Sequence, residues 1–281
     1  MGLKGAPEAA SVRVKLAVAT FVALLLPSLA AAAGETVTYQ AGGETVRAYL
    51  GNFPGSRSSP GIVVIHDYWG LNEEIQEVVD RLTSLGYVTL APDLFKGKLM
   101  ADPGLAQDMG RALDETRAVT IVKGAIDELR KLDRVTNRPV ATIGFGIGGR
   151  VSLATALRGA DVQATVLFYG RVETTREGLA PLKAPILGVF GGGDHAVPEK
   201  DVKLFEAALK EAGKDVKIVS YPGIGHCFMD GARADYDPEE AKDAWIQMRD
   251  WLAVKLAPQL PGRRAPGTPA GPEPAPHPTA P

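Results

Sequence analysis

Val140-Ala141-Thr142-Ile143-Gly144-Phe145-Gly146-Ile147-Gly148-Gly149-Arg150 is the stretch on which the fold turns. Its first six residues form a mostly apolar run with β-branched side chains, the pattern of a strand covered on both faces. Glycine follows at 144, 146, 148 and 149, and a helical pattern begins at Gly148. Flanking glycines let the strand and the helix after it approach closely through a sharp turn.

The same alternation repeats outward from this turn. Upstream, Gly61-Ile62-Val63-Val64-Ile65 is another continuous apolar run. Residues 73–85 then carry Ile75, Val78, Val79, Leu82 and Leu85 at helical spacing, and Gly86 ends them. A strand is expected at 87–91, and one long helical stretch at about 105–132. Downstream come strands at 163–169, 186–190 and 216–221, with helices at 199–212 and 238–256. Ahead of them all, 36–40 and 45–50 read as a hairpin around Ala41-Gly42-Gly43-Glu44. Such regular alternation predicts an α/β fold: a mainly parallel, doubly wound sheet with helices on both faces.

The two ends lie outside this pattern. Lys4, Arg13 and Lys15 precede an apolar run at 16–26, Pro27, and small residues up to Ala33. A basic start, a short apolar core and a run of alanines make the signature of a cleaved secretory signal over 1–33. The apolar run is about half the length of a bilayer span, so no stable membrane anchor is expected after cleavage. Residues 258–281 hold nine of the 21 prolines and read as a disordered Pro/Ala-rich tail. Between them, residues 34–257 form one domain. The expected location is outside the cytoplasm, periplasmic or secreted.

Charge and cysteine content exclude several classes. The formal charge is −2, and removing Lys4, Arg13, Lys15 and Glu8 with the signal takes away a net +2 and leaves −4. Nothing here attracts nucleic acid or an anionic membrane surface. The single cysteine, Cys227, makes neither an intramolecular disulfide nor a cysteine zinc cluster.

Ligands of such sheets bind beyond the carboxyl ends of the strands, and four ends stand out. They read His66-Asp67-Tyr68-Trp69-Gly70-Leu71-Asn72, Gly144-Phe145-Gly146-Ile147-Gly148-Gly149, Gly191-Gly192-Gly193-Asp194-His195 and Pro222-Gly223-Ile224-Gly225-His226. An acid and then a histidine follow the glycine-rich turn, the chain order of a nucleophile–acid–base triad. In that geometry the histidine takes the nucleophile's proton and the acid orients the histidine.

Over roughly residues 45–252 the chain resembles the dienelactone hydrolases of the α/β-hydrolase fold. The likeness rests on the four strand ends, on Gly86-Tyr87 with Ala91-Pro92-Asp93-Leu94-Phe95, on Val197-Pro198, and on Phe228. It implies cleavage of a small ester or lactone by a cysteine nucleophile, without metal or cofactor. It assigns Asp194 as the acid, His226 as the base, and the backbone N–H groups of Ile147 and Tyr68 as oxyanion donors. Asp67 stands where the family more often has a glutamate that contacts the thiol. The departure is at the centre: the family's turn reads Gly-x-Cys-x-Gly-Gly, and here the nucleophile position is Gly146, which has no side chain.

Two functional readings follow. In one, His226 and Asp194 activate a water in the space left by the thiol, or an unrecognised nucleophile acts, giving weak ester or lactone hydrolysis. In the other, the protein is a non-catalytic relative that binds a small ligand in the old pocket. Cys227, next to His226 and off the turn, is a poor substitute nucleophile. His66, Asp67, Asp194 and His226 lack the usual ligand spacings, so no metal is expected. Trp69 and Phe145 are candidate pocket walls, Arg150 a surface residue, and His195 a solvated or loop-orienting one.

Overall fold

The structure is a computed structural model and describes residues 33–54 and 56–257. The tail and all but the last residue of the expected signal lie outside the described residues. In chain order the elements are β1 (Glu35–Ala41), β2 (Glu44–Leu50), β3 (Gly61–Ile65), α1 (Glu73–Ser84), β4 (Val88–Pro92), α2 (Pro103–Arg111), α3 (Glu115–Lys131), β5 (Val140–Phe145) and α4 (Ile147–Leu157). β6 (Ala164–Phe168), α5 (Arg176–Leu179), β7 (Ile186–Gly191), α6 (Glu199–Glu211), β8 (Val216–Tyr221) and α7 (Pro238–Lys255) complete them.

One eight-stranded sheet runs in the order β1-β2-β4-β3-β5-β6-β7-β8. The hairpin β1–β2 and the β2–β4 pairing are antiparallel, and all other pairings are parallel. Strands β3, β5, β6 and β7 are buried throughout, as their mostly apolar sequences favour, with Thr142 and Thr165 as buried polar exceptions. Two cores result. Residues of α3, α4 and α6 such as Ile121, Val151 and Phe205 pack one face. Residues of α1 and α7 such as Val79, Trp245 and Met248 pack the other.

The single helix expected at 105–132 is two. Asp114 sits between them with extended backbone, and its carboxylate accepts from the backbone N–H of Thr116 and Arg117. Asp102 does the same for Leu105 at the start of α2. An aspartate that satisfies the first free N–H groups starts a new helix at a fixed place, and helical spacing on both sides hides the joint. The short α5 had no counterpart in the sequence pattern. Elsewhere the element ends differ from expectation by a residue or two.

Because β3 and β5 are neighbours, with Ile65 opposite Gly144, the segments leaving them emerge side by side. The loops after β6, β7 and β8 open on the same edge.

Candidate active site

The turn between β5 and α4 is a single residue. Gly146 has φ +50° and ψ −113°, a conformation that L side chains rarely adopt. Its N–H donates to Phe168 O (3.0 Å) and its carbonyl accepts from Arg150 N–H (3.2 Å), so the strained shape is held from both sides. A Cβ on Gly144 would strike the backbone of Gly148, and one on Gly148 would strike Ile65 and His66. These glycines are the contact surface between strand and helix.

Asp194, in the turn after β7, is buried and fully committed. Its Oδ1 accepts from the N–H groups of Ala196 (2.7 Å) and Val197 (3.0 Å), and its Oδ2 lies 2.6 Å from His226 Nδ1. His226 comes from the loop after β8, and its other nitrogen is left as the base. Burial alone would lower the imidazole pKa. The hydrogen bond and charge of Asp194, with the charge of Asp67, outweigh burial and raise it above the ordinary value. The ring rests against Tyr169, centroid to centroid 5.1 Å.

Asp67 changes the centre of the site. A Cβ built on Gly146 would overlap its Oδ1 and lie 2.6 Å from its Cγ and 2.8 Å from its Oδ2. The carboxyl group therefore fills the space of a nucleophile side chain, where the sequence reading expected a water. Its Oδ1 accepts from Tyr68 N–H (2.6 Å), and the Ile147 N–H pulls more weakly on the same group. The two backbone donors expected to face a substrate oxyanion are turned to this carboxylate. Burial pushes the Asp67 pKa up to about 6, against the opposing pull of Tyr68, His226 and Ile147.

His66 fixes the backbone beneath it. Its Nε2 accepts from Leu94 N–H (3.0 Å), so Nδ1 is the protonated nitrogen and donates to Asp67 O (2.7 Å). The ring is fully buried, and burial lowers its pKa. Cys227 is partly buried; burial, then the charges of Asp67, Asp230, Asp235 and Asp194, drives its thiol pKa up. That is the reverse of what a thiolate nucleophile needs. His195 is exposed, and Arg150 pairs with Glu115 at 3.3 Å. Among the described residues no group of three or more His, Cys, Asp or Glu could hold a metal ion.

Two spaces adjoin the site, and Asp67 lines one of them. On one side, a narrow slot is lined by Tyr68, Gly146, Arg150, Tyr169, Arg171 and His226. On the other is a cavity of about 260 Å³. Its walls include Asp67, Trp69, Ile75, Phe145, Tyr169, Met229 and Trp245, with Glu74, Glu77, Arg81 and Asp230 as further charged groups. Trp69 and Phe145 are thus both wall residues. Trp69 lies under the Arg233 guanidinium (3.6 Å) and Phe145 stacks on Phe168 (4.9 Å). Burial, then the hydrogen bond and charge of Asp230, raise Glu74 to about 7. Tyr169, Arg171, Glu74 and Asp230 escaped the sequence reading. Tyr169-Gly170-Arg171 follows β6 and was a fifth strand end open to inspection.

The sequence profile of the dienelactone hydrolase family matches residues 46–256. The chain belongs to this family. A relative named Protein usf, from Aquifex pyrophilus, is 32% identical over 75% of this chain and 94% of its own. A protein of Methylorubrum extorquens, provisionally named a carboxymethylenebutenolidase, is 30% identical over 69% of this chain and 71% of its own. Among solved structures, a dienelactone hydrolase-like promiscuous phosphotriesterase from metagenomic libraries superposes with a TM-score of 0.72 at 23% identity. It covers 80% of this chain and 98% of that one, and supports the fold.

Proposed function

We propose that this dienelactone hydrolase relative hydrolyses small esters or lactones slowly, with no elbow nucleophile. His226, oriented by Asp194, takes a proton from water as the water attacks the acyl carbon. The carrying observation is the 2.6 Å Asp194–His226 pair beside Gly146 in a chain of this family. Turnover requires Asp67 to leave the Tyr68 and Ile147 N–H groups so that a substrate oxyanion can take its place. Enzymes stripped of a triad member keep about 10³–10⁴-fold catalysis over water, which sets the scale expected here. The test is hydrolysis of 4-nitrophenyl acetate and an enol lactone by the purified protein and by His226→Ala. Loss in the variant supports the reading; equal rates in both defeat it.

The occupied donor pair favours a second reading, a relative that binds such a ligand without turnover. A parent that is silent in the assay yet shifted in melting temperature by the intact lactone would select it. We also infer export, from the basic start, the apolar run at 16–26 and the alanines at 30–33. N-terminal sequencing of protein recovered from cell fractions tests this: an intact Met1 on cytoplasmic protein refutes it.

A further inference from the structure

We propose that Asp67 is itself a nucleophile, directed at sp³ carbon, and that the site hydrolyses short alkyl substrates carrying an anionic leaving group such as a halide. The inference shares the His226–Asp194 base with the reading above but not its water attack on an acyl carbon.

Three features of the geometry lead there. The carboxyl group occupies the place of the missing elbow side chain, within 2.8 Å of where the Cβ would be. Oδ1 takes the Tyr68 N–H at 2.6 Å, and Oδ2 accepts no such hydrogen bond among the described residues, which leaves it to react. Donors that grip Asp67's own oxygen are placed to stabilise a tetrahedral centre at Asp67 Cγ rather than on a substrate. An acyl substrate would need those donors for itself. Displacement at sp³ carbon develops no oxyanion and needs only a free carboxylate lone pair and room for the chain. The cavity on whose wall Asp67 lies supplies that room, with Ile75, Phe145 and Met229 as apolar lining. On the same wall, the indole N–H of Trp69 is buried with no hydrogen-bond partner, and the Arg233 guanidinium stacked on the ring is paired with Asp230 at 3.0 Å. An unused buried donor suits a departing anion.

The steps balance without oxidant or cofactor. An Oδ2 lone pair attacks the alkyl carbon, the carbon–halogen bond breaks, and halide leaves with the bonding pair. This forms an alkyl ester on Asp67. His226 then takes a proton from water, the water oxygen bonds to Cγ, and the negative charge falls on Oδ1 at the Tyr68 and Ile147 N–H groups. Collapse breaks the Cγ–Oδ2 bond, and the alcohol leaves with Oδ2 and the proton from His226. Haloalkane and water become alcohol, halide and a proton.

The experiment uses the full-length protein with 1-bromobutane, following bromide release, with 4-nitrophenyl acetate hydrolysis measured on the same preparation. A single turnover in H₂¹⁸O should place the label in the peptide containing Asp67, and later turnovers should pass it to butanol. His226→Gln should accumulate one butyl group on that peptide, and Asp67→Asn should lose bromide release by at least about 10²-fold. No bromide release by the parent, first-turnover label found in butanol alone, or no adduct on folded His226→Gln would each overturn the proposal. Because labelling is read on the unaltered protein, a variant that fails to fold does not rescue it. Ester hydrolysis with no bromide release defeats this inference alone, and bromide release with no ester hydrolysis defeats only the earlier one.

Discussion

Replacing Gly146 by cysteine restores the family's nucleophile in name and sets it against Asp67. The new Cβ would lie 2.6 Å from Asp67 Cγ, so the carboxyl group has to swing away. Holding a side-chain-bearing residue at φ +50°, ψ −113° costs about 1–3 kcal/mol. Losing the charge-assisted Tyr68 hydrogen bond costs roughly another 1.5–3 kcal/mol. Release of a buried carboxylate to water returns part of this, which leaves a net loss of about 2–4 kcal/mol. With Asp67→Ala already in place, only the backbone cost remains, so the two substitutions should couple by about 1–2 kcal/mol. Urea unfolding of parent, both single variants and the double variant measures this through the midpoint at constant slope. Ester hydrolysis should rise in Gly146→Cys, where the displaced carboxyl group frees the backbone donors, and rise further in Gly146→Cys/Asp67→Ala, where no carboxylate remains beside the thiol. Additivity within 0.5 kcal/mol would refute the placement of Asp67.

Three further outcomes are expected. His226→Ala should lower any hydrolytic rate by about 10²–10⁴-fold and, by leaving the buried Asp194 Oδ2 without its partner, cost about 1–3 kcal/mol, checked by initial rates beside a urea titration. Asp67 binds its proton more tightly folded (about 6) than unfolded (3.8), so the parent should lose about 2–3 kcal/mol of stability as pH rises from 4 to above 6. Asp67→Asn should lack this drop, and parallel pH curves for the two proteins would contradict it. Gly110→Ala would press a methyl group into the Tyr68 ring and should cost about 1–3 kcal/mol despite the better helix former, read from the same unfolding midpoint.

What could be read beforehand was what local composition determines. Mostly apolar runs located β3, β5 and β7 because strands buried on both faces favour apolar side chains, and glycines at 144 and 148 marked the close approach of strand and helix at the turn. The order of Gly146, Asp194 and His226 carried the site because each follows a strand that ends on the same edge. Other features depend on neighbours far apart in the chain. The joint at Asp114 is a capping choice between two helical patterns that look continuous. Tyr169, at φ +39° and fully enclosed, has ordinary sequence surroundings and acquires its position from β6 and the His226 loop. The occupation of the Gly146 space by Asp67 is the largest such effect. Sequence gave the aspartate's identity and its position, 79 residues before the turn, but not the direction of its side chain.

The pairing of Ile65 with Gly144 makes one location in space accessible from two addresses in the chain. A reactive group mounted after β3 can reach the point that one mounted after β5 would occupy. During divergence, chemistry could therefore migrate from one loop to its neighbour while the pocket around it stayed unchanged. Column-by-column comparison would record such a migration as a substitution by glycine at 146 and an unremarkable acidic replacement at 67.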